Sequence, residues 1–177
     1  MKEIKELLIE AGATEDMAAE IDQKFEDAFL KASVEEAQKE ASNIIQTFEI
    51  NRNVEWYDEP VSVRVDEFNE ETLIDGDEKI CDHKHIIIEF KYPLSRGINL
   101  IYSNKDGFTR ADIYRCIHEG YTQLYAMEED PGTINPQMLN RGFSDGPIGI
   151  WGHYISDLVI EGVTEKVPAY FTLSIGS

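Results

Sequence analysis

The chain has 177 residues, 42% apolar and 10% aromatic, enough to enclose a hydrophobic core in one domain without a disulfide or a structural metal. Its formal net charge is −19, and the excess is lopsided: residues 1–80 carry 23 acidic and 8 basic side chains, net −15. Such a field repels phosphate backbones and anionic membranes, so the expectation is no direct nucleic-acid binding, no membrane attachment and a basic protein as partner.

Apolar runs such as Ile86–Ile88 and Leu100–Tyr102 are far shorter than the roughly 20 residues of a membrane span. The start, Met1-Lys2-Glu3-Ile4-Lys5-Glu6, lacks a signal-peptide core. Cys81 and Cys116 read as reduced thiols. Together these features predict a cytoplasmic protein.

The first 50 residues read as an acidic helical subregion. Ile4, Leu7 and Leu8 make a short apolar stripe ending near Gly12. Thr14 is placed to cap a second helix carrying Met17, Ile21, Phe25, Ala28 and Phe29 at helical spacing. Ser33 and Glu36 form a capping box for a third, with Val34, Ala37, Ala41, Ile44, Ile45 and Phe48 inward.

Beyond Asn53 the period changes to two. Val61, Val63 and Val65 alternate with Ser62, Arg64 and Asp66, the pattern of a half-buried strand. Residues 69–79, rich in Glu and Asp, form a turn. Segments 86–92 and 98–103 read as strands joined by Pro93-Leu94-Ser95-Arg96-Gly97, so the three segments are expected to make an antiparallel meander.

The clearest helix begins after Asn104-Lys105-Asp106-Gly107. Thr109 is its N-cap, Asp112 completes a capping box, and Phe108 is placed to staple against Ile113. Its buried stripe is Ile113, Ile117, Tyr121, Leu124 and Tyr125, and it should stop before Pro131-Gly132. A long irregular stretch follows, then a final hairpin of residues 154–163 and 169–174. The expected fold is α+β: N-terminal helices, an antiparallel sheet of about five strands, and one long central helix packed on it, within a single domain 1–177 whose sheet-and-helix part is 54–177.

Three patterns carry candidate chemistry. Alternate residues of an extended strand face one way, so Cys81, His83 and His85 would gather zinc-type ligands, although no C-x-x-C or H-E-x-x-H spacing supports a metal. Without such a site no cofactor is expected. His118, on a helix flank, is a candidate acid or base, set against an ordinary packing role. In the Gly-rich segment 146–154, Trp151 and Tyr154 would wall a pocket, with His153 and Asp157 as an oriented pair; the competing expectation is a tight corner that packs Trp151 into the core.

The collective use of the carboxylates comes first among the functions. An acidic intracellular interaction module, inhibitor-like, immunity-like or imitating nucleic acid, would engage a basic partner through Glu15, Asp16, Glu20, Asp22, Glu26, Asp27, Glu35 and Glu36. The alternative is a small-ligand-binding protein or metal-dependent enzyme using the Trp151/His153/Asp157 segment or the Cys81 cluster. The balance is against an enzyme, and the sequence specifies neither the partner nor the oligomeric state.

Overall fold

The computed structural model describes residues 44–128, 144 and 146–177, with Thr14, Ala28 and Ala32 isolated before them. The chain divides into two units, Met1–Ala41 and Ser42–Ser177, and the architecture below is that of the second. Most of the expected N-terminal helices, the acidic residues between Glu15 and Glu36, and most of the stretch around Pro136 and Gly142 lie outside the described residues. The third expected helix does not extend to Phe48 with Ile44 and Ile45 inward: Gln46–Phe48 is a strand, and Ile44 and Ile45 are exposed.

The fold is α+β. In chain order the strands are β1 (Gln46–Phe48), β2 (Asn51–Arg52), β3 (Val61–Ser62), β4 (Lys79–Cys81), β5 (His85–Phe90), β6 (Ile98–Ser103), β7 (Phe108–Thr109), β8 (Val159–Val167) and β9 (Tyr170–Gly176), with helix α1 (Arg110–Met127) between β7 and β8. Five strands form one sheet in the order β1-β8-β9-β5-β6, and β2-β3 and β4-β7 are small two-stranded pairs.

The β5-β6 hairpin has the expected register, with His85 opposite Ser103 and Phe90 opposite Ile98. The sheet is not wholly antiparallel, however: β9 lies parallel to β5, Ile87 facing Tyr170 and Glu89 facing Thr172. The meander also needs correction. Residues 61–62 pair with β2, whereas 63–65 run beside the start of β8 through Val65 N–H to Leu158 O at 2.9 Å and Ile160 N–H to Val63 O at 2.9 Å. The alternation still sets burial, since Val63 and Val65 are both in the core, but the segment changes partner halfway. The final hairpin starts at Val159 rather than 154, because a 3-10 turn occupies Ile155–Asp157.

Helix α1 starts as its sequence dictates. Thr109 Oγ1 accepts from Asp112 N–H, and Asp112 Oδ2 accepts from Thr109 N–H at 2.9 Å. The loop before β4 also serves this end, Gly76 O and Glu78 O accepting from Ala111 and Arg110 N–H, which satisfies helix donors that have no intrahelical partner. The buried face comprises Ile113, Tyr114, Cys116, Ile117, Gly120, Tyr121 and Leu124. It packs with Ile86, Ile88 and Phe90 of β5, Ile160 and Val163 of β8 and Phe171 of β9.

Helix and sheet approach closely at Gly120. A Cβ there would lie 2.3 Å from Phe90 Cζ and 2.5 Å from the Tyr102 hydroxyl, so only glycine fits. The tyrosines of α1 then tie down three loops. Tyr114 donates to Arg64 O and Glu67 O, Tyr121 to Tyr92 O and Tyr125 to His153 O. Burial pushes the Tyr114 hydroxyl up to about 12 and the other two higher still, keeping all three as donors at neutral pH.

Candidate interaction surface

The loop from Asn53 to Pro60 joins β2 to β3. Its tip is a turn closed by Tyr57 N–H to Val54 O at 3.0 Å. Trp56 is 85% exposed and Tyr57 66%, the two largest exposures among the big apolar side chains described. Burying a side chain of that size removes a large apolar area from water, so leaving both in solvent forgoes stabilisation that the core obtains elsewhere. The pair is flanked by exposed Glu55, Asp58 and Glu59.

Nearby arginines are already committed: Arg52 to Glu67 at 3.2 Å, Arg64 to Asp66 at 3.1 Å, Arg115 to Glu70 and Arg110 to Glu78. Among the described residues no ion pair reaches Glu55, Asp58 or Glu59. Among the described residues the tip therefore offers two aromatic faces beside three carboxylates that no cation pairs.

At its base the loop opens onto a groove of about 500 Å³ whose lining includes Phe48, Glu49, Asn51, Pro60, Asp75 and Arg110. Arg110 lies over the Phe48 ring, 5.3 Å from its centroid, and donates to Glu49 O and to the Glu78 carboxylate. Asp75, held at φ +52°, is shared with a second hollow of about 610 Å³ lined by Leu73, Gly76, Asp77 and Glu78. Acidic side chains thus continue from the tip along the floor.

The structure does not gather the other candidates as the sequence suggested. β4 ends at Cys81 and β5 begins at His85, so residues 81–85 are not one extended strand and alternation does not apply across them. His85 Nδ1 is 2.8 Å from Ser103 Oγ, His83 is exposed, and Cys81 pairs with Phe108. No group of three or more His, Cys, Asp and Glu among the described residues is placed to hold a metal ion. Burial pushes the Cys81 thiol up from its ordinary value.

His118 donates from Nδ1 to Val65 O at 2.7 Å and stacks on Phe68, an arrangement that fixes the 65–68 segment against α1. His153 is buried, with Nε2 2.8 Å from the Tyr92 hydroxyl and its ring 5.2 Å from that of Trp151. It does not pair with Asp157, whose Oδ2 instead accepts from Tyr154 N–H at 2.9 Å and caps the 3-10 turn. Trp151 is part-buried, and Tyr154 is 46% exposed.

Two buried carboxylates escaped the sequence reading. Glu128, just past α1, accepts from Ile148 N–H at 2.7 Å and Gly149 N–H at 2.6 Å through one oxygen, and its other oxygen fills the space a Cβ on Gly146 would need. Glu165 accepts from Ala169 N–H at 2.9 Å and from Gln46 Nε2 at 2.7 Å, bracing the β8-β9 turn where Ala169 has φ +65°. Partners 20 and 119 positions away leave no local signal. The aromatic tip had a signal, since Glu55, Asp58, Glu59 and Pro60 around Trp56-Tyr57 follow neither a helical nor a strand period.

No family model, curated protein or solved structure matches this chain.

Proposed function

We propose that this protein is an acidic interaction module that binds a basic protein, as an inhibitor or a nucleic-acid mimic would, with the 53–60 loop as its contact centre. The observation that supports this most is the exposure of Trp56 and Tyr57 beside Glu55, Asp58 and Glu59, which have no ion-pair partner among the described residues. Aromatic residues dominate the energetics of many protein contacts, and Lys or Arg side chains are drawn to the faces of Trp and Tyr. The surrounding charge accelerates encounter and rejects acidic competitors.

Trp56→Ala should weaken capture of the partner by about 2 kcal/mol, roughly 30-fold in Kd. A direct check uses an Arg/Lys-rich peptide titrated at low and high salt and followed by tryptophan fluorescence. Trp151 is the other tryptophan and is part-buried, so the titrating signal should disappear in Trp56→Phe. Equal binding by wild type and Trp56→Ala would remove the loop from the contact.

A further inference from the structure

Among the described residues, nothing pairs with the outer edge of β6. Ile87 N–H donates to Ala169 O on the β9 side, so odd-numbered β5 residues turn their backbone groups towards β9 and even-numbered ones towards β6. By the β5-β6 register, Ile98, Leu100 and Tyr102 bond to β5, and Asn104 N–H to Lys84 O at 2.8 Å continues the series. Asn99, Ile101 and Ser103 therefore direct their N–H and C=O groups off the sheet.

Folded proteins usually protect such an edge with lysine, proline or a bulge. Ile98–Ser103 has no charged residue and no proline, and its pairing is regular over all six residues. Ile101, at the middle of the free edge, is 51% exposed.

We propose that a second copy of this chain pairs antiparallel along β6, with Ile101 on the two-fold axis. That register sets Asn99 against Ser103 of the other copy, forms about six inter-chain backbone hydrogen bonds, and joins two five-stranded sheets into one. Charge permits a self-contact here: residues 81–107 hold four basic and three acidic side chains, whereas residues 1–80 carry a net −15. This surface is distinct from the 53–60 loop, and the proposal does not depend on the proposed function.

The test is the mass of the full chain by sedimentation equilibrium over a wide concentration range. The expected result is a concentration-dependent dimer of the 20.2 kDa chain. Asn99→Lys combined with Ser103→Lys sets like charges opposite one another twice across the axis and should weaken it about tenfold. Asn99→Asp combined with Ser103→Lys, which sets opposite charges at the same places, should preserve it. Ile101→Lys, which sets two ammonium groups side by side, should abolish it, while Trp56→Ala should leave it unchanged, with circular dichroism confirming that each variant is folded. A monomer at every concentration, a Lys/Lys variant that dimerises as tightly as the Asp/Lys variant, or a dimer lost with Trp56→Ala would each overturn the assignment.

Discussion

At the scale of the residue, burial governs what the titratable groups do. Cys116 lies under the surface of α1, and burial, aided by Glu119 and Asp112, pushes its thiol from 9.0 up to about 12. Because the folded value is raised, the protonated thiol stabilises the fold fully below pH 9, and that contribution is lost as pH rises towards 12. Tyr114, raised from 10.0 to about 12, acts in the same sense and over nearly the same window. The urea midpoint should therefore fall between about pH 8 and pH 11, and Cys116→Val should flatten part of the fall; a midpoint independent of pH in both proteins would contradict this assignment. Thiol reagents at neutral pH should modify half-buried Cys81 before Cys116.

At the scale of the element, α1 shows the difference between propensity and packing. Alanine in place of a helical glycine ordinarily gains about 1 kcal/mol. At Gly120 the added methyl would strike Phe90 and the Tyr102 hydroxyl, and overpacking a tight core costs about 1–3 kcal/mol. The second effect is the larger, so Gly120→Ala should lower the urea midpoint, and a raised midpoint would mean that Phe90 moves aside freely.

The same helix shows where the sequence was readable. Both halves of its capping box lie within four residues, and its apolar stripe repeats locally, so start and buried face could be read directly. The β5-β6 hairpin was equally legible because its two strands are close in sequence. The parallel pairing of Ile87 with Tyr170 was not, since nothing within 80 residues of either records it. Segment 61–65 kept its alternation yet belonged to two partners, as alternation reports which side is buried and not which strand lies alongside. The candidate site was read least well. Ligand geometry was inferred for residues 81–85 from a strand that breaks there, while Trp56 and Tyr57 passed unnoticed because large aromatic residues usually signal the core.

At the scale of the whole molecule, the sign of the salt effect is a contest between two terms. Surface pairs such as Arg52–Glu67 and Arg115–Glu70 are worth at most about 1 kcal/mol each, and salt weakens them. Against them stands the mutual repulsion of a net −19, which salt also screens once the Debye length falls to about 8 Å near 0.15 M. Repulsion wins in a chain so unbalanced. The urea midpoint should rise from about 0.01 to 0.15 M sodium chloride, and a fall would show that the arginine pairs outweigh the excess charge.

The sheet order also dictates when the fold can close during translation. β9 lies between β8 and β5 and is the element that joins the β5-β6 hairpin to the β1-β8 pair, yet it is the last of the described strands in sequence. At about 5–20 residues per second, the ribosome makes β5 several seconds before residue 176. Over that interval the inner side of β5, with Ile87 at its middle, is an open strand edge beside an incomplete core. The nascent chain thus passes through a stage at which the middle of its sheet, rather than its rim, is the surface in need of a chaperone.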